Sequence, residues 1–395
     1  MVKGKTKRKI YFAGGRILSF FNRLVPKRKD GVCFFCKSGI NDNSEALLSY
    51  MIEHGYAKDY KICCVVGEPG AYRRYQEQKV RVCGLLPGVW ALLRCRYIFC
   101  HGENLAIMPS KKQISVNYWH GTPLKKINRM LPKLGDYRYD FFTYTTAAAE
   151  MFRPVFAQAF GCRPEQVLIN GHPRNDYLFQ ESTALEMLGI RREDYRKVFL
   201  WMPTYRLSRD GLIRDTDGIN LENAGVPLFH TREAMEDLNR FLEEKESLLL
   251  LKLHPAQKVG EEDLKSYPHI RILTNRMLEE KAVPLYRVVR QADALLTDYS
   301  SVFFDYLLLD RPEAFVLEDL EAYQGRRGFV VEDPLSYMPG EKIYDRDQLY
   351  AFLEDCLEGR DRWQEERARV NALVNGCQEE KNCQMLLEQI GLKKA

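Results

Sequence analysis

Four clusters of polar residues in this chain stand directly after short apolar runs. His120-Gly121-Thr122-Pro123 follows residues 114–119, and Gly171-His172-Pro173-Arg174-Asn175-Asp176 follows 167–170. His254-Pro255 follows 248–253, and Asp298-Tyr299-Ser300-Ser301 follows 294–297. Imidazole titrates near neutrality, so a histidine at such a position suits removal of a proton from a hydroxyl. His120 is therefore a candidate base, with a packed core histidine as the plain alternative. Thr122 and Pro123 are the residue types of a helix N-cap and first helical position, which predicts a helix carrying Lys125 and Lys126 toward solvent or an anion.

The remaining clusters suit anion binding. Ser300-Ser301 stands before the apolar stretch 302–309, and hydroxyls with free backbone N–H groups at a helix start hold phosphate oxygens; an ordinary N-cap serine is the alternative. Asp298 reads as a ligand contact or a capping carboxylate, and Asp305 as facing a ribose or solvent. His254 offers a further donor to the same anion. Arg174 and Arg206, the latter in Pro203-Thr204-Tyr205-Arg206, are guanidinium candidates for phosphate, or members of salt bridges between domains.

Elements that position these clusters are legible as alternating periods. Strands are expected at 32–36, 60–66, 97–101 and 114–119, with a helix at 44–54 entered through Asn41-Asp42-Asn43. A helix around 147–160 and a strand at 166–170 follow, and the periodicity then breaks near 181–193. It resumes with strands at 198–202, 248–254, 270–273, 292–297 and 313–317, and with helices at 232–245, 285–290 and 301–309. This alternation predicts two α/β domains with parallel sheets, whose ligands bind beyond the carboxyl ends of the strands, in a cleft between them. The expected division is a basic segment 1–30, a first α/β domain 31–182, a second α/β domain 183–375 and a helical tail 376–395.

Charge excludes one class of partner. The net charge is +5, but residues 1–30 hold ten Lys and Arg against one Asp, a local +9, so residues 31–395 sum to −4. A slightly acidic body does not suit nucleic acid. The eleven cysteines fall in apolar contexts of a chain large enough to build its own core, which suits a reduced, cytoplasmic protein. Cys33 and Cys36 read as strand residues more readily than as a metal or redox pair. Two Asp-x-Asp pairs, Asp215/Asp217 and Asp345/Asp347, stand in polar loops, so no metal site is expected. No apolar run reaches the roughly 20 residues of a membrane span. In 1–30, however, Ile17, Phe20, Phe21 and Leu24 recur at helical spacing beside Arg16 and Arg23, as in an interfacial amphipathic helix on an anionic membrane surface.

Taken in order, the motifs resemble the CDP-glycerol glycerophosphotransferase family of teichoic-acid polymerases and primases. The matching residues are His120-Gly-Thr-Pro-Leu-Lys125, Gly171-x-Pro-Arg-Asn-Asp176, Pro203-Thr-Tyr-Arg206, Leu253-His-Pro255, Thr297-Asp-Tyr-Ser-Ser-Val-Phe-Phe-Asp-Tyr306 and Arg327-Gly-Phe329. His172, Asn128 and Glu341 depart from the family pattern, and no role is carried over to them. The resemblance implies a GT-B-like architecture of two Rossmann-type domains facing a central cleft, without a catalytic metal or other cofactor. It implies His120 as base, with His254, Ser300, Ser301, Asp298, Asp305, Arg206 and Arg174 on the donor and Thr122 and Lys125 on the acceptor side. The implied reaction moves glycerol phosphate from CDP-glycerol to a hydroxyl of a lipid-linked saccharide acceptor, releasing CMP, at the cytoplasmic face of the membrane. A CDP-ribitol-dependent transferase and a nucleotide-sugar glycosyltransferase are the alternatives on one architecture; a scaffold at the lipid surface is the non-enzymatic one.

Overall fold

The computed structural model describes residues 2–101, 106–132, 134–135, 137–204, 226–252, 267–326 and 328–394. It divides into two compact units, Met1–Thr122 with Ile127–Tyr177 and Gly376–Ala395, and Pro123–Lys126 with Leu178–Asn375. The chain thus changes unit at Tyr177/Leu178, and residues 376–395 return to the first unit instead of forming a separate tail.

The first unit is a seven-stranded parallel sheet in the order β3-β2-β1-β4-β5-β6-β7. Its strands are β1 (Arg28–Cys36), β2 (Lys61–Val66), β3 (Arg81–Cys83), β4 (Cys95–Cys100), β5 (Ile114–Asn117), β6 (Tyr144–Ala147) and β7 (Val167–Ile169). Strand alternation sorts β1 between two buried layers: Val32, Phe34 and Cys36 face one, Cys33 and Phe35 the other. Cys33 and Cys36 therefore point to opposite faces of the sheet, the strand reading of the C-x-x-C. Each of the eleven cysteines is free, and burial pushes the Cys36 thiol up to about 12.

Helix α1 (Val2–Leu24) lies on the second of these layers through its small and polar side. A side chain at Gly15 would meet the Ala106 carbonyl oxygen at 2.1 Å. Ser19 Oγ accepts from the Met108 amide at 2.9 Å, and Asn22 Nδ2 donates to Gln113 Oε1 at 2.7 Å. Ile17, Phe20, Phe21 and Leu24 point outward, 52–66% exposed. Against the other layer pack α2 (Asp42–Glu53) and the returning C-terminal helix Asn382–Gln389, whose Leu386 and Leu387 are buried.

The second unit is a six-stranded parallel sheet in the order β10-β9-β8-β11-β12-β13. Its strands are β8 (Lys197–Trp201), β9 (Ser247–Leu251), β10 (Ile270–Ile272), β11 (Ala294–Thr297), β12 (Glu313–Val316) and β13 (Glu341–Ile343). The helix Arg232–Glu244, capped by Thr231 accepting from the Ala234 amide, buries Ala234, Met235, Leu238 and Leu242 at helical spacing. Asp345 caps the helix Arg346–Glu358 by accepting from the Gln348 amide at 2.9 Å. That cap gives Asp345 a structural task; the Asp215/Asp217 pair lies outside the described residues.

One predicted element is absent. No helix starts at Thr122-Pro123. Residues 123–126 pair instead with 328–330: Lys126 N–H donates to the Gly328 carbonyl at 3.1 Å and Val330 N–H to the Leu124 carbonyl at 2.9 Å. Burial of Leu124 at 1% exposure rewards this extended pairing, and tertiary contact outweighs a local capping signal.

Candidate active site

β5 ends in a strained turn. Trp119 has φ +58° and Gly121 φ +118°, and a bulky residue in the left-handed region costs on the order of 1–3 kcal/mol, a kind of strain that gathers at functional sites. Between them stands His120. Its Nδ1 lies 2.6 Å from Nε2 of His101, the residue just beyond β4. One proton is shared there. When His120 Nδ1–H donates to His101, the lone pair of His120 Nε2 is left to accept a proton from a substrate hydroxyl.

Behind the pair, Asp42 Oδ2 lies 3.6 Å from His101 Nε2, and Arg174 Nη1 donates to both Asp42 oxygens at 2.8 and 2.9 Å and to the His120 carbonyl at 3.2 Å. Burial pushes the Asp42 pKa up, but Arg174 and then His101 outweigh it, leaving the carboxyl below its usual value. Desolvation of the crowded ring and then His101 pull the His120 pKa down to about 3, with Asp42 opposing and Arg174 adding. His120 as a residue is exposed, so water moderates the size of that shift. Its direction keeps the imidazole neutral, the state a base requires at pH 7.

Arg174, expected on the donor, is thus a buried partner of Asp42 within the first unit. Thr122, also buried, meets Nε2 of His172 at 3.1 Å. The Gly171–Asp176 motif has a structural task as well. Asp176 accepts from the Asn382 and Cys383 amides and from Asn382 Nδ2, each at 2.9 Å, so it caps the returning C-terminal helix. A side chain at Gly171, with φ +84°, would meet Asn382 Oδ1 at 2.0 Å.

In the second unit, Asp298 is fully buried and accepts from Thr204 N–H at 2.8 Å, from Thr204 Oγ1 and from Tyr299 N–H at 2.6 Å. It staples the residues after β8 to those after β11. Ser300 and Ser301 are half-buried, and Ser301 occupies the N-cap of the helix Val302–Tyr306 without its side chain capping it. Asp305 does not face solvent or a ribose: it is fully buried and accepts from the Tyr286 hydroxyl at 2.5 Å. Lys125 belongs to this unit too, its Nζ 5.8 Å from the Tyr323 ring, which stacks on Tyr299 at 4.0 Å. Arg206, His254 and Arg327 lie outside the described residues.

Three residues here were not singled out from sequence. His101 and Asp42 become partners of His120 only through the strand order, although His101 does stand at a strand's carboxyl end, the signal that marked His120. Lys252, directly after β9, is buried, and burial lowers its pKa to about 8.

Teichoic acid glycerol-phosphate primase of Bacillus subtilis (strain 168) is 30% identical over 213 residues, 53% of this chain and 49% of that protein. Teichoic acid glycerol-phosphate transferase of Staphylococcus aureus (strain NCTC 8325 / PS 47) is 26% identical over 377 residues, 88% of this chain and 90% of that one. Teichoic acid ribitol-phosphate primase of Bacillus spizizenii (strain ATCC 23059 / NRRL B-14472 / W23) is 28% identical over 274 residues, 64% of each. The chain spans 49–65% of the length of three such relatives. Among solved structures, the wall teichoic acid polymerase TagF superposes with TM-score 0.74 at 19% identity, over 99% of this chain and 95% of that one. A Staphylococcus aureus MnaA–UDP structure gives 0.53 at 12% identity, over 92% and 98%. The fold is therefore GT-B-like, two parallel α/β sheets of seven and six strands. Residues 17–392 match the model of one family, and the chain belongs to it: the CDP-glycerol:poly(glycerophosphate) glycerophosphotransferases.

Proposed function

We propose that this protein transfers glycerol phosphate from CDP-glycerol to a hydroxyl of a lipid-linked cell-envelope acceptor. The observation that carries the reading is His120 on its strained turn, with Nδ1 2.6 Å from Nε2 of His101. The acceptor oxygen forms a bond to the β-phosphorus as its proton passes to His120 Nε2. The bond from that phosphorus to the bridging oxygen breaks, and CMP leaves. Ser300, Ser301 and Lys252 in the second unit, with His254 and Arg206, neutralise the phosphate charge, which is where a protein contributes most to phosphoryl transfer. Support comes from the family and from a TagF variant soaked with CDPG.

Relatives named for ribitol phosphate favour a second reading with CDP-ribitol as donor. Purified protein given each donor with a synthetic disaccharide-pyrophosphoryl-lipid separates the two by product mass. One added unit marks a primase and a ladder a polymerase; absence of CMP release with both donors overturns the proposal. His120→Ala should lose at least about a hundredfold in turnover and keep much of its affinity for CDP-glycerol. More than roughly a tenth of the wild-type rate would remove His120 from the role of base.

The protein works at an anionic membrane surface. No helix among the described residues is long and apolar enough to cross a membrane, but α1 turns Ile17, Phe20, Phe21 and Leu24 away from the unit it packs on, as a helix lying in the lipid interface does.

A further inference from the structure

Glu313 and Glu341 are the first residues of β12 and β13, at the edge of the second sheet opposite Asp298 and Ser300, which follow β11. A cavity of about 320 Å³ opens beside them. Its other walls come from the helix Arg346–Glu358, from the turn begun by Gly359 at φ +71° and from the helix Gln364–Val374. Each guanidinium at this cavity has its carboxylate. Arg360 pairs with Asp355 at 2.6 Å, Arg362 with Glu341 at 2.6 Å and Arg367 with Asp361 at 2.5 Å. Trp363 Nε1 donates to the second oxygen of Glu341 at 2.7 Å. Glu313 is the fourth carboxyl of the cavity: it is 1% exposed, and neither of its oxygens has a hydrogen-bond partner among the described residues. Buried polar groups are hydrogen-bonded as a rule, so this one calls for a partner.

The volume is about ten times that of one water and reaches the lower range of small-molecule sites. Among the described residues no three His, Cys, Asp or Glu side chains converge as metal ligands do, so the complement of Glu313 is an organic cation. Both of its oxygens are unengaged, which suits a planar fork of two N–H donors better than a single ammonium. We infer that this cavity binds a small organic amidinium or guanidinium monocation, its fork on the two Glu313 oxygens and its apolar body against Phe352 and Trp363. One positive charge brings the four carboxylates and three guanidinium groups to balance. Burial by itself holds the Glu313 carboxyl in its acid form, well above the usual carboxylate range, against the pull of Arg367. The neighbouring Tyr306 stays neutral, its hydroxyl donating to the Ala292 carbonyl at 2.8 Å. Binding therefore sends the carboxyl proton to solvent as the N–H fork takes its place.

Benzamidine, titrated into the full chain by calorimetry in two buffers of different ionisation heat, tests the site. Saturable one-to-one binding is expected, with benzamide, its neutral isostere, at least tenfold weaker. Proton release on binding should appear as a difference in heat between the buffers. Glu313→Gln keeps the volume and removes the charge; it should weaken benzamidine tenfold or more and abolish the proton release, with circular dichroism checking that it is folded. Should that variant fail to fold, the proton count in the parent decides. Absence of saturable binding overturns the inference and leaves the cavity to water. Equal binding of benzamide, binding without proton release, or affinity unchanged in folded Glu313→Gln overturns it too, as does displacement of benzamidine by equimolar Mg²⁺, which would make the site a metal site. The titration contains no CDP-glycerol, so its outcome and that of the transfer reaction are independent.

Discussion

His101 stands behind the proposed base, and its removal separates position from packing. His101→Ala leaves His120 Nδ1 without its partner at 2.6 Å and takes away one of the two largest influences lowering the His120 pKa. Turnover should fall about 10- to 100-fold. The acid limb of kcat, below the ordinary imidazole value of about 6.5 in the parent, should move upward toward it; a merely structural residue would leave that limb in place. Lys252 gives a second test. Its pKa is about 8 in the fold against 10.5 for the free group, so between those values the unfolded chain binds the proton more tightly than the native state. Stability therefore rises with pH across that window, and at pH 7 the buried charge costs up to about 3 kcal/mol. Lys252→Met should raise Tm while raising KM for CDP-glycerol; a lowered Tm with unchanged KM would make the lysine structural. His120 was legible in the sequence because a strand, a histidine and a turn are contiguous there. His101 and Asp42 were not legible as its partners, since only the β1-β4-β5 order brings residues 42, 101 and 120 together. Asp305 misled because a carboxylate on an apolar helix looks solvent-seeking until Tyr286 supplies its donor.

For α1 the two faces should fail separately. Gly15→Leu drives a side chain into the Ala106 carbonyl and should cost about 1–3 kcal/mol through overpacking, seen as a lower Tm. Ile17→Ser/Phe21→Ser changes only outward residues; Tm should hold while flotation with anionic liposomes is lost. Deletion of residues 1–30 is the poorer experiment, because β1 begins at Arg28. Persistence of flotation in the double serine variant would leave α1 without an interfacial role. The long buried strands were readable from their apolar runs, and the amphipathic spacing of α1 was readable too. The edge strands β3 and β13, three residues each, are too short to show a period. The extended course of 123–126 depends on residues 328–330, some two hundred positions away, which no local pattern contains.

Each unit of the molecule has its own core, yet their sequences are interleaved. Cutting the chain after Asn375 would strip Leu386, Leu387, Ile390 and Leu392, all buried, from the first unit. At about 1.5–3 kcal/mol each, they sum to about 6–12 kcal/mol, comparable with the whole stability of a domain. The truncated protein should keep a protected second unit and lose the first, read by hydrogen exchange; protection of β1 and β4 in it would contradict this account. Activity of the full chain should persist in excess EDTA, since the proposed phosphate ligands are cationic and hydroxyl groups; complete loss restored by Mg²⁺ or Mn²⁺ would point to Asp215 and Asp217.

Asp176 and the helix it caps are 206 positions apart, and that separation acquires a meaning in time. On a ribosome adding about 5–20 residues per second, roughly 10–40 s pass between the two. Through that interval the nascent first unit has its seven strands but an open apolar face, a surface for chaperones to hold. The proton-accepting pair His101 and His120 is assembled in a finished unit only after residue 382 has emerged. A chain broken off early is left unable to close around its own base, and translation itself acts as the last check on a competent enzyme.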